Sequence, residues 1–180
     1  MGQTHRMTEY AIAAIGDDRP GIVATLSDAL LRANASIEDS SMTILGGQFA
    51  MLLVVSADTS QLILEEALSA AADALDLTLE VRPSAPRQEH HPMRGIPHVV
   101  AAHGPDQQGL VTVLARVLAD AGVNITNFGS RVGGAGAFAM WFNVDLPPSV
   151  DASVLEHALR DAGASVDLSV SVHPVEVEEL

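Results

Sequence analysis

The fold follows from one stretch near the start of the chain, Gly16-Asp17-Asp18-Arg19-Pro20-Gly21-Ile22. It ends the apolar run 10–15 and begins the helical run 22–33. We expect a helix with Pro20 near its first position, where a missing N–H costs nothing, and with Asp18 capping the first free donors. Gly21 leaves room for a ligand to approach the backbone. A helix start also carries partial positive charge, which favours a carboxylate or phosphate.

An altered copy of this stretch occurs later in the chain, as Gly104-Pro105-Asp106-Gln107-Gln108-Gly109-Leu110. The helical run after it also repeats, and its first residue Leu110 lies 88 positions after Ile22 (110 − 22 = 88). Further on, Leu155 lies 91 positions after Leu64 (155 − 64 = 91). Since the offset changes only between predicted elements, as loop insertions would make it, we interpret the chain as a tandem duplication of one unit.

Each unit has the same predicted order of strand, helix, strand, strand, helix and strand. In the first unit the predicted elements are 10–15, 22–33, 36–45, 49–55, 59–75 and 76–82, with a hairpin turn at Gly46-Gly47. This order is the ferredoxin-like βαββαβ arrangement, with an antiparallel sheet and both helices on one face. The fold class is therefore predicted as α+β with two tandem ferredoxin-like domains. Because a single unit leaves its sheet edges open, we expect the two sheets to pair side by side, and the chain to form a homodimer.

The domain boundaries follow from the duplication and from a proline-rich segment. We predict domains at 9–83 and 97–174, joined by a linker at 84–96. Prolines stiffen such a connection.

The composition excludes several classes of protein. The net charge is −14 and all nine basic residues are arginine, which opposes a nucleic-acid partner. The chain has no cysteine, which rules out disulfides, thiolate nucleophiles and cysteine-based zinc sites. It shows neither a signal peptide nor an apolar run long enough to cross a membrane, so a cytoplasmic protein without membrane contact is expected.

Histidine is the one residue type that suggests a metal. His90 and His91 lie in the proline-rich segment, together with His98 and His103 further on. Adjacent histidines in such a segment are usually solvated, and no set of ligands has suitable spacing, so no metal and no cofactor are expected. His103 precedes the second loop, where it either packs at the end of a strand or faces a ligand.

A ferredoxin-like unit with Asp-Arg-Pro-Gly-Ile at its first helix start resembles an ACT domain, a small regulatory module that binds amino acids. The segment 14–23, followed by Ile37-Glu38-Asp39-Ser40, more closely resembles the first half of the glycine cleavage system transcriptional repressor family. The N-terminal ACT segment of formyltetrahydrofolate deformylases is similar too. Those enzymes continue into a catalytic domain, for which we expect no room here.

The resemblance implies a small amino acid bound at the interface of the two units. The matching positions are Asp18, Arg19, Pro20, Gly21, Ile22, Ser36 and Ile37 in the first unit, and Asp106, Gln108, Gly109, Leu110, Asn124 and Ile125 in the second. The first unit has Ser36 where the family has asparagine, and the second has lost the Arg-Pro pair. Because each unit keeps part of the pattern, one site per pair is expected.

The chemistry of an amino acid fits these residues. Backbone N–H groups at Gly21 and Gly109 suit its carboxylate, while Asp18, Asp106 or the side-chain oxygen of Asn124 suits its ammonium group. The glycines leave little room for a ligand side chain, which favours glycine or serine. Two alternatives stay open: residues 18–21 form only a good helix start, and Asn124 only caps or turns the chain.

These expectations describe a non-enzymatic regulatory protein. It would bind a small amino acid and act through a protein partner, in transcriptional regulation of glycine and one-carbon metabolism if the family resemblance extends to function. One alternative is a structural module for oligomerisation without a ligand. A second is a regulatory relative of formyltetrahydrofolate deformylase without the catalytic domain.

Overall fold

A computed structural model describes residues 7–84 and 95–175, which divide into two compact units. The elements of the first unit are β1 (Thr8–Asp17), α1 (Ile22–Arg32), β2 (Ala35–Leu45), β3 (Gln48–Ala57), α2 (Gln61–Leu75) and β4 (Leu77–Pro83). Those of the second are β5 (Ile96–Pro105), α3 (Leu110–Asp120), β6 (Asn124–Val132), β7 (Ala137–Leu146), α4 (Ala152–Ala164) and β8 (Ser169–Pro174), with a short 3-10 turn at Gly134–Gly136. The predicted βαββαβ order is confirmed in both units.

Each unit contains its own antiparallel four-stranded sheet. The strand orders are β2-β3-β1-β4 and β6-β7-β5-β8, so the first strand of each unit is central. The same register recurs: β1 lies between β3 and β4, as β5 lies between β7 and β8. The side-by-side pairing of the two sheets stays a prediction.

Alternation along the strands separates two faces of each sheet. In β1, Tyr10, Ile12 and Ala14 are buried, whereas Ile15 is 52% exposed. The apolar run 10–15 by itself suggests a strand that is buried as a whole, but only its inner face is covered by helices, because a strand turns alternate side chains to opposite sides. The inner face and the apolar stripes of α1 and α2 form one core, and the second unit repeats this arrangement.

Left-handed backbone conformations end the helices and turn the hairpin. Asn34, after α1, has φ 52°, and Gly122, at the same place in the second unit, has φ 68°. Asparagine and glycine adopt this conformation at the lowest cost, so Asn34 and Gly122 suit the turns that follow α1 and α3. Gly46 and Gly47 have φ 60° and 81°, as the two central residues of a tight hairpin require.

None of the helices within residues 7–84 and 95–175 is long and apolar enough to cross a bilayer.

Candidate functional site

The first helix of the first unit begins without a side-chain cap. Gly21 is its N-cap, with φ 95°, and no side chain accepts a hydrogen bond from the first turn. The helical ladder starts where the N–H of Thr25 donates to the carbonyl of Gly21 at 2.9 Å. Since an α-helix leaves its first N–H groups without intrahelical acceptors, the start of α1 presents unused donors.

Two sequence-based expectations about this helix start are wrong. Asp18 does not cap the helix; its backbone N–H instead donates to the carbonyl of Gly47 at 2.9 Å, which ties the loop to the hairpin turn. Pro20 precedes the N-cap and is therefore outside the helix. Helix α1 begins at Ile22, where the predicted helical run begins, so Gly21 with its left-handed backbone is the N-cap and Asp18 lies three positions before it.

The first helix of the second unit repeats this geometry. Gly109 is the N-cap of α3, with φ 90° and no side-chain cap. The backbone N–H of Asp106 donates to the carbonyl of Gly136 at 2.7 Å, as Asp18 does to Gly47. Gln107 fixes this loop further, because its Nε2 donates to the carbonyl of Val166 at 2.6 Å. Sequence reasoning gave Gln107 no role, since nothing local marks a partner 59 residues away.

The second helix of each unit is capped in the ordinary way. The hydroxyl of Ser60 accepts from the N–H of Ile63 at 3.4 Å at the start of α2. The carboxylate of Asp151 accepts from the N–H groups of Ser153 and Val154 at the start of α4. Hydrogen bonds from Ser153, first from its hydroxyl, lower the pKa of Asp151 below its ordinary value of 3.8. An uncapped start therefore distinguishes α1 and α3 from their neighbours.

A depression of about 230 Å3 opens at the start of α1. Eight residues line it, of which four were predicted and four were not. The predicted ones are Asp18, Arg19, Gly21 and Ile22, and the others are Val23, Ala24, Met42 and Phe49. The exposed carboxylate of Asp18 and the donors of the first turn thus border one small space. An acceptor and several donors in this arrangement match the ammonium and carboxylate of an amino acid.

Two of the four lining residues that were not predicted come from the adjoining hairpin. Phe49 is almost fully buried, at 1% exposure, and Met42 is 47% exposed on β2. A signal for Phe49 exists in the sequence, because Phe49-Ala50-Met51 recurs as Phe138-Ala139-Met140. Met42 carries no such signal, since its place beside α1 depends on strand register.

The predicted site residues at the start of the second strand of each unit do not lie near the loop before the first helix. They lie at the opposite end of the sheet. In the first unit Ser36 pairs with Ser56, which pairs with Glu9, whereas the loop adjoins Asp17 at the other end of β1. Eight residues at a rise of about 3.4 Å separate these ends by roughly 27 Å. Ser36 and Ile37 therefore do not lie with Asp18 and Gly21 within one unit.

The second unit shows the same separation. Asn124 and Ile125 begin β6, where Asn124 pairs with Asp145, and Asp145 pairs with Pro97. The loop residues Asp106, Gln108 and Gly109 follow the other end of β5. Gly122, not Asn124, makes the turn after α3, so that alternative is wrong. Asn124 is exposed, and its side chain makes no hydrogen bond within the described part of the chain.

The histidines give no metal centre where the structure describes them. Within residues 7–84 and 95–175 no three histidine, aspartate or glutamate side chains are close enough to hold a metal ion. His90 and His91 lie outside the described residues. His98 is buried, with Nδ1 2.8 Å from the carbonyl of Ile96. His103 is exposed on the outer face of β5, which contradicts its interpretation as strand-end packing.

The comparison with known families identifies both units. The ACT domain model matches residues 10–82 and again residues 97–173. The chain belongs to the ACT-domain family. The matched ranges include the uncapped starts of both α1 and α3.

Curated relatives match one unit at a time. A UPF0237 protein of Methanopyrus kandleri is 43% identical over 79 residues, which is 42% of this chain and 88% of that protein. The glycine cleavage system transcriptional repressor of Escherichia coli (strain K12) is 31% identical over 77 residues, 42% of this chain and 40% of that repressor. This ACT-domain chain is therefore related to the repressor.

Solved structures match over the greater length of the chain. A crystal structure of an unknown protein from Galdieria sulphuraria is 25% identical, with a TM-score of 0.78, and covers 95% of this chain and 100% of that one. A proposed glycine cleavage system transcriptional repressor has a TM-score of 0.74 over 95% of this chain and 99% of its own. At 18% identity the second likeness shows the fold alone.

Proposed function

We propose that this chain is a non-enzymatic regulatory protein that binds a small amino acid, such as glycine or serine, at an uncapped helix start. One observation carries the proposal: α1 and α3 begin without a side-chain cap, whereas Ser60 and Asp151 cap α2 and α4. An unused helix start favours an anion because its N–H groups and its dipole both attract negative charge.

The depression at α1 supports a specific arrangement of the ligand. Its carboxylate accepts from the first-turn N–H groups, and its ammonium group contacts the carboxylate of Asp18. Met42 and Phe49 close the remaining side, so a ligand with a small side chain fits best. Asp106 and Gly109 offer the same pair of functions at the start of α3.

We propose that the ligand alters contact with a protein partner in the regulation of glycine or one-carbon metabolism. The relationship to the Escherichia coli glycine cleavage system transcriptional repressor supports a role in this regulation. The net charge of −14 opposes direct contact with DNA, whose affinity for proteins depends on neutralising phosphates. Such a switch needs two states of the protein with different affinity for the ligand.

A thermal-shift titration over the twenty common amino acids tests the binding. A ligand at about 100 times its Kd stabilises the folded state by roughly 2.7 kcal/mol. We expect glycine or serine to raise the Tm of the wild-type chain and of Asp28→Asn, an exposed site on α1 away from the depression. Asp18→Asn should lose most of the shift because the ammonium group loses its partner.

Two results would contradict the proposal. If no amino acid shifts the Tm at millimolar concentration, the chain does not bind one. If Asp18→Asn and Asp28→Asn lose the Tm shift equally, the ligand does not bind at the position assigned to it. Retention of the purified chain on DNA at physiological salt would overturn action through a protein partner alone.

An assembly module is the second candidate function. The outer face of the first sheet exposes apolar side chains that no element of its own unit covers, among them Ile15 at 52% and Leu52 at 53%. If copies of the chain associate through this face, sedimentation will depend on concentration, Leu52→Gln will weaken the association, and amino acids will have no effect on it.

A further inference from the structure

One row across the outer face of the second sheet carries an unusual set of side chains. Arg131 on β6 pairs with Ala139 on β7, Ala139 pairs with His103 on β5, and His103 pairs with Ser169 on β8. A depression of about 260 Å3 lies here, lined by Arg131, His103, Ala139, the glycines Gly104 and Gly133, and the apolar side chains of Ala137 and Phe138. The row therefore places a guanidinium and an imidazole on either side of a methyl group.

The first unit provides an internal comparison for this row. The equivalent positions are Thr43, Ala50, Ile15 and Thr78, which pair in the same way. The alanine and the hydroxyl on the last strand recur, but no charged or ring nitrogen does. Because the same fold forms with Thr43 and Ile15, folding does not require Arg131 and His103.

We propose that this row binds an oxyanion, namely the carboxylate or phosphate group of a small molecule. Adjacent strands lie about 4.8 Å apart, so the Cα atoms of Arg131 and His103 are roughly 10 Å from each other. Both side chains can then contact one anion placed over Ala139. Arginine donates several N–H bonds in a fork that matches such groups, and histidine donates an N–H in either charge state.

The charge of the chain strengthens this assignment. The chain has nine arginines against 23 acidic residues, so an arginine that no carboxylate neutralises is a candidate for binding an external anion. Within the described part of the chain, Arg131 makes neither an ion pair nor a hydrogen bond, and both Arg131 and His103 are exposed. They are thus available to a ligand.

This site is separate from the amino-acid site proposed above. Helix α3 packs on the inner face of the sheet through Leu110, Leu114 and Leu118, whereas Arg131 and His103 lie on the outer face. The inference does not depend on whether an amino acid binds at α3.

The chain contains a single tryptophan that can report binding. Trp141 follows Ala139 by two residues on β7, so it lies on the same outer face in the next row. It is 41% exposed, so we expect its fluorescence to change when a ligand binds beside it. The full chain can therefore be used without a label.

The experiment is a fluorescence titration with inorganic phosphate and, separately, with acetate, at constant ionic strength. We expect a saturable change in Trp141 emission, and at least a tenfold weaker affinity in Arg131→Gln and in His103→Gln. Arg131→Lys should keep part of the affinity because it keeps the charge. Arg116→Gln is the matched control. Arg116 is exposed on α3, so this substitution removes the same charge from the helical side of the sheet.

The outcomes separate clearly. A response to phosphate alone, to acetate alone or to both supports the site and assigns the chemistry of its ligand. A response that stays linear in concentration, or that falls equally in Arg116→Gln and Arg131→Gln, overturns it. Calorimetric titration of the same variants provides a second measurement if a substitution at Arg131 itself alters the fluorescence of the free protein.

Discussion

The indole of Trp141 lies against the backbone of Gly129 on the neighbouring strand. A Cβ atom added at Gly129 would be 2.1 Å from Cζ2 of Trp141, much closer than two carbon atoms can approach. The two residues are directly paired between β6 and β7. An aromatic ring over a strand glycine covers the backbone that the missing side chain leaves open.

Gly129→Ala should therefore displace the indole of Trp141 into water. We expect the emission of Trp141 to shift to longer wavelength, with a modest loss of stability of about 1 kcal/mol because an exposed ring can move away. Gly133→Ala is the control, since its added Cβ would meet Ala137 at an ordinary 3.5 Å. Unchanged emission in Gly129→Ala would show that the indole does not lie on this glycine.

Much of the fold could be predicted from the sequence because the relevant signals are local. Leu77 and Val81 alternate with polar residues, and the structure buries both on one face of β4. The glycine pair in the hairpin and Asn34 after α1 mark turns through their own backbone preferences. Because the unit is duplicated, the order of elements predicted for the first unit also predicts the order in the second.

The candidate site was predicted less well because its geometry depends on backbone conformation and register. Gly21 is the N-cap of α1, so Asp18 lies three positions before the cap, and composition does not reveal the positive φ that Gly21 adopts. Met42 reaches the depression only through the pairing of β2 with β3. The distance between Ser36 and Asp18 likewise follows from strand register.

Substitution of Gly21 tests the conformation that keeps α1 uncapped. A Cβ at Gly21 meets nothing within 4 Å, so Gly21→Ala introduces backbone strain without a steric clash. We expect a loss of about 1–2 kcal/mol in the free energy of unfolding, measured with urea. Gly134→Ala has equal space and no positive φ, and should change stability much less. Equal effects would contradict the left-handed assignment.

Truncation of the core of the second unit should be costly. Leu159 is fully buried on α4, whereas Val154 on the same helix is 66% exposed. We expect Leu159→Ala to lower the free energy of unfolding by about 2–5 kcal/mol, because it removes packed methyl groups and leaves a cavity. Val154→Ala should cost far less, and similar losses in both variants, measured by chemical denaturation, would contradict the assigned orientation of α4.

The cap of α4 should make stability depend on pH in the acid range. Donors on Ser153 and Val154 hold the pKa of Asp151 below 3.8 in the folded chain. Its carboxylate therefore stabilises the fold above pH 3.8, and this contribution is lost as the pH falls through the lowered pKa. We expect the Tm of wild type to exceed that of Asp151→Asn at pH 7, and the difference to narrow below pH 3.8.

Ser153→Ala is the control, because it removes the hydroxyl that donates to Asp151. In this variant the Tm difference caused by Asp151→Asn at pH 7 should be smaller. A difference that stays constant from pH 7 to pH 2.5 in calorimetric scans would show that these bonds do not stabilise the ionised cap, because below pH 3.8 the unfolded chain binds a proton at Asp151 more readily than the folded chain does.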